Sequence, residues 1–185
     1  MTRPVLIAAT LAGVAAAALI GVTAAAAAAP PANGSRPTRE YVDAAGHSDA
    51  FEIAEAQLAL TESKDPQVLA FARDMIRDHG QTSAALKAAT ARSGLTPPPE
   101  GLGADQAPLL GALQGAGAAE FDAMYWHHQV LGHRSALTST EPYASAGDDA
   151  AVRAAAAAAL PIIRGHLAMC LPETKFFPGQ AASPS

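Results

Sequence analysis

The chain lacks most of what familiar catalytic sites are built from. Cys170 is its only cysteine, so no internal disulfide and no Cys-x-x-Cys pair can form. No cysteine lies near the end of the apolar leader, which excludes a lipoprotein anchor. Aromatic residues make up only 5% of the chain, and β-branched runs are scarce, so sheet is disfavoured. There is no Gly-rich phosphate loop, no His-Glu-x-x-His and no Gly-x-Ser-x-Gly. None of the six histidines has an acid three residues before it, so the Glu-x-x-His pair of di-iron bundles is missing. No strand alternation of a β-barrel is visible. Positive charge is not in excess: without residues 1–29 the chain carries 11 basic and 17 acidic residues. Nucleic acid and anionic membrane surfaces are therefore not expected as main partners.

What is present is alanine, in a chain of 185 residues that is half hydrophobic, long enough for one domain and a leader. Residues 1–29 read as a secretory signal peptide: Arg3 supplies the charged start, Val5 to Val22 the apolar run, and Ala27-Ala28-Ala29 the small-residue cleavage site. No twin-arginine pair accompanies it. The competing reading is an uncleaved inner-membrane tether, since the run is long enough to span. With cleavage, the protein is expected in the periplasm or secreted, with no stable membrane span. Residues 30–37 read as a linker and residues 172–185 as a disordered tail.

Between them the pattern predicts long helices. The first runs from about Thr38 to Ser63, with Val42, Ala45, Asp49, Ile53, Ala56 and Leu60 on one face and Glu52 at its border. A break near Gly46 is the alternative. It would leave Asp49 and Glu52 solvated at a new first turn, where the helix dipole favours acids. The second helix has Asp65 as cap, Pro66 in the first turn and Gly94 past the end. Its apolar stripe holds Val68, Ala72, Met75, His79 and Leu86, with Asp78 at the edge. Thr96 to Gly101 forms a stiff connection, and a short helix covers about Gln106 to Gln114. The next long helix spans about Ala118 to Thr140, stopping before Pro142. Asp122, Gln129 and His133 share a face there, His127 and Arg134 point away, and His128 is ambiguous. The last helix starts near Asp148 and Asp149 and runs to about Leu171, with an expected kink at Pro161. Val152, Ile163, His166 and Cys170 share its apolar face.

Two histidines, His79 and His166, thus lie near the centre of apolar faces, and a third, His133, lies on or beside the face of another helix. A buried imidazole needs a partner for each ring nitrogen, or one partner and a metal. The expected site is these three with Glu52 and Asp78, and with Asp49 and Asp122 as weaker members, around a divalent transition metal. Asp122 and His133 are eleven residues apart, about 16 Å along a helix, so they cannot share one ion.

In chain order, Ser48-Asp49-x-Phe51-Glu52-Ile53, Leu58-Ala59, Phe71-Ala72-x-x-Met75-Ile76-x-Asp78-His79, Phe121-Asp122-x-x-Tyr125, His133, Leu160-Pro161 and His166-Leu167 form an ordered set. This set resembles the exported bacterial family called domain of unknown function 4142, often labelled an outer membrane protein, over roughly residues 38–171. The resemblance implies a ferritin-like bundle of long helices and no established activity. The expectation is an all-α, ferritin-like antiparallel four-helix bundle with a short extra helix. Its leading role is a non-enzymatic binding or stress-related envelope protein. A metal-dependent redox enzyme and a purely structural envelope protein are the rivals.

Overall fold

A computed structural model describes residues 33–173, so the expected signal peptide and nearly all of the expected tail lie outside the described residues. Among the described residues there are five helices and no strand: α1 (Arg36–Glu62), α2 (Pro66–Arg92), α3 (Gln106–Gln114), α4 (Phe121–Ala146) and α5 (Ala150–Glu173). The protein is all-α.

The helix ends follow local chemistry. Ser35 caps α1 by accepting from the Thr38 amide at 3.2 Å, and Asp65 caps α2 through the Gln67 amide at 2.7 Å. Gly94 closes α2 with φ at +64°, a conformation that suits glycine. Asp149 accepts from the Ala151 and Val152 amides and so starts α5.

One alternative is excluded here and one sequence expectation fails, both for tertiary reasons. α1 does not break at Gly46. The glycine is there because the proline connection after α2 crosses it: a Cβ at position 46 would lie 2.8 Å from Pro99 Cδ and 2.9 Å from Pro98 Cβ. α4 does not stop before Pro142 but continues to Ala146. Its last turn is held from α1, where Tyr41 stacks on Tyr143 at 4.4 Å and Thr38 Oγ1 meets Tyr143 Oη at 2.7 Å. α5 runs through Pro161, as the sequence pattern led one to expect.

α1 packs against α2 and α4, and α5 against α4 and α2, so the four long helices enclose one interior, with the short α3 laid against α1 and α4. That interior has two apolar ends. One is aromatic, with Phe71, Phe121, Tyr125 and Trp126 around Met75 and Leu113. The other is smaller-grained, with Tyr41, Val42, Leu86, Tyr143, Val152 and Ala156. Between them every long helix contributes a buried polar side chain: Asp49 and Glu52 from α1, His79 from α2, His133 from α4 and His166 from α5. By length and composition α5 could cross a membrane, with a mean hydropathy of 1.5. In this fold its Val152, Ile163, His166 and Cys170 are buried, and it packs on α4 and α2.

Candidate metal centre

The three histidines expected from the helical faces meet. Their ring centroids lie 5.7 Å (His79–His133), 5.4 Å (His79–His166) and 5.3 Å (His133–His166) apart. One nitrogen from each lies within 4.8 Å of the other two. All three side chains are 3% exposed or less.

Each ring is pinned from outside by one nitrogen. His79 Nδ1 donates to Asp49 Oδ1 at 2.9 Å, and Thr82 Oγ1 donates to the same oxygen at 2.7 Å. His166 Nε2 donates to Asp78 Oδ2 at 3.0 Å, while Arg77 holds both Asp78 oxygens. His133 Nδ1 donates to the Gln129 carbonyl, one turn back on α4, at 2.7 Å. These bonds fix the neutral tautomers, each with its lone pair on the other nitrogen. Those other nitrogens are His79 Nε2, His133 Nε2 and His166 Nδ1. All three are buried, and none has a hydrogen-bond partner in the protein.

Electrostatics disfavours a second proton on two of the rings, His133 and His166. Burial, aided by the neighbouring His79, pushes His133 down to about 3. Burial also lowers His166, against the pull of Asp78. Burial would raise Asp78, but Arg77 and His166 outweigh it and hold the carboxyl below its ordinary range.

The carboxylates of the expected set therefore divide. Asp49 and Asp78 sit on the outer nitrogens of His79 and His166, not at the point where the lone pairs converge. Glu52 is fully buried: its Oε1 is 3.7 Å from His133 Nδ1, also an outer nitrogen, and neither oxygen has a hydrogen-bond partner. A Cβ at position 132 would strike Glu52 Oε1, so Gly132 leaves the room that this carboxylate fills. Burial, reinforced by Glu55, raises Glu52 well above the usual carboxylate range. Asp122 lies about three turns from His133 along α4, apart from the cluster, with a buried, unpartnered Oδ1.

A second pair escaped the sequence reading. Glu55 Oε1 accepts from His128 Nδ1 at 2.6 Å, and Gln129 Nε2 donates to Glu55 Oε2 at 3.2 Å, all buried. The apolar count had centred the α1 face on Ile53 and Leu60, but Ile53 is half-buried and Leu60 is 36% exposed. The buried face runs instead through Asp49, Glu52, Glu55, Ala56 and Ala59. The signal was the acid repeated every three residues from Asp49. Charged residues are discounted in a search for apolar stripes, so it carried no weight.

Three buried imidazole nitrogens without hydrogen-bond partners suit zinc, copper, iron or nickel. Tetrahedral coordination at about 2.1 Å needs nitrogens roughly 3.4 Å apart. The observed spacing, up to 4.8 Å, is wider than this, so the rings would have to close on an ion.

A family model described as "Domain of unknown function (DUF4142)" matches residues 23–171. The chain belongs to that family. No curated protein and no solved structure matches it significantly.

Proposed function

We propose that this family member is an exported protein that binds one divalent transition-metal ion through His79 Nε2, His133 Nε2 and His166 Nδ1. The observation that carries the reading is the convergence of three buried nitrogens without partners, each on a ring whose other nitrogen is held. Leaving a buried polar atom unpaired costs about 1–3 kcal/mol. A core evolved only for packing would not collect three at one point, and this weighs against the purely structural rival. Asp49, Asp78 and the Gln129 carbonyl then act as outer partners that orient the rings and raise their basicity. The ferritin-like, antiparallel four-helix description belongs to this proposal, supported by four long helices ringed around the site. Export is supported by the charged, apolar and small-residue pattern of residues 1–29.

The test is metal stoichiometry by calorimetry and elemental analysis on the mature chain. One ion per wild-type chain is expected, and none in His79→Ala with His166→Ala. Equal binding by both proteins, or none by either at neutral pH, would remove the metal reading. Mass spectrometry of the secreted fraction should find an N-terminus near Pro30. An intact Met1 in the membrane fraction would replace export with tethering.

A further inference from the structure

The layer of imidazoles has two sides, and they differ. Toward the aromatic end lies Glu52, packed against Gly132. Toward the other end lies a chamber of about 40 Å³ that His79 and Asp49 help to enclose. Its place follows from the helical register. Thr82, Ala136 and Ile163, all in its wall, stand one turn from His79, His133 and His166 respectively, on the same side of the layer.

The wall is mostly apolar, through Leu86, Ile163 and the alanines, with a few polar groups from Asp49, Thr82, Thr140 and Tyr41. That balance is typical of a small-molecule site. A water needs at least about 10–15 Å³ of such space, so the chamber admits a guest of no more than about three non-hydrogen atoms. Ser48 and Ser139 in the wall are only half-buried, so this side of the chamber lies nearest the surface. Burial raises Tyr41 to about 12, so its hydroxyl keeps its proton and can donate to a guest. Small side chains at Ala136 and Ala159 leave the space that leucine would fill.

Three neutral imidazoles leave a divalent ion short of a fourth ligand and carrying uncompensated positive charge. Given the metal reading above, on which this rests, we infer that the chamber delivers a small exogenous ligand to the ion's open position. The ligand is a lone-pair donor of two or three non-hydrogen atoms, anionic when bound.

The probe is azide, titrated into the copper(II)-loaded mature protein and followed by its ligand-to-metal charge-transfer absorption. The wild type should give a saturable band. Ala136→Leu and Ala159→Leu should each keep one copper per chain and bind azide about tenfold or more weakly. Circular dichroism checks each variant, and two variants guard against one that fails to fold. Absence of copper binding by the wild type falls on the metal reading. Bound copper with no azide band, or with azide affinity equal to wild type in the leucine variants, overturns the chamber.

Discussion

Two histidine environments lie side by side in the same core, and they are built on opposite plans. His128 is buried against Glu55, with Gln129 on the second Glu55 oxygen, so the carboxylate is satisfied from within the protein. His79, His133 and His166 are equally buried, but each spends only its outer nitrogen on the protein and turns the other toward its two neighbours. The residue type and degree of burial are the same in both places. What differs is what the imidazole meets: His128 is bonded to a carboxylate whose two oxygens are both taken, although Gln129 Oε1 beside it has no partner, whereas the other three rings each keep a buried nitrogen unpaired. A closed pair holds helices together, whereas an open ring of three is made for a guest.

The comparison is tested most severely at the closed pair. Glu55→Ala should lower stability by about 3–5 kcal/mol, because it strands His128 and leaves a void. Glu55→Leu combined with His128→Leu should recover much of that loss. Urea denaturation measures both. A loss under about 1 kcal/mol in the single variant would mean that the pair is not the structural element described.

At the open ring, His79→Leu in metal-free protein should cost less, about 1–3 kcal/mol. Its partner Asp49 is buried but keeps the bond from Thr82. A loss equal to that of Glu55→Ala would erase the distinction between the two environments.

Asp49→Asn and Asp78→Asn sharpen the contrast from outside the ring. Each should weaken metal binding by about 10–100-fold, the range for partners of metal-bound histidines. His128→Gln should leave metal binding unchanged. Metal competition titrations decide, and an equal loss in His128→Gln would place the ion elsewhere.

The smallest effect is on pH. Burial holds native His133 near 3, against an ordinary value of 6.5, and lowers His166 in the same direction. Between those limits the unfolded chain binds more protons than the native one. These two groups therefore make the metal-free protein less stable as pH falls from about 6.5. Glu52 acts in the opposite sense. Its raised value lets the native carboxyl keep a proton that the unfolded one loses above 4.5, so its contribution declines as pH rises. His133→Gln should accordingly lose less stability than wild type between pH 6.5 and 4.5 in urea melts. Parallel pH profiles for the two proteins would count against a proton-free His133.

His79 and His166 were legible because each falls on an apolar stripe, His133 less so because the pattern of α4 is weaker, and α2 had its caps spelled out in Asp65, Pro66 and Gly94. Glu55 and His128 were not legible in the same way. A buried carboxylate is tolerated only where another helix brings a donor, and neither α1 nor α4 states that alone. Asp78 shows the same limit. Its position at the edge of the α2 stripe was correct, but whether it faces the lone pairs or the outer nitrogen of His166 depends on where α5 lies.

By itself, then, the sequence determined helix. Alanine content, capping residues and periodic apolar faces act within one segment and need no partner. It also pointed to His79, His133 and His166 as buried, through the faces they occupy, though not to His128. Only the tertiary structure decided which carboxylates orient the rings and which one is left without a hydrogen-bond partner. It alone showed that Gly46 and Gly132 make room for Pro99 and Glu52, and that α4 passes through Pro142. Each of these depends on the distance between side chains on different helices, and that distance exists only once the helices are packed.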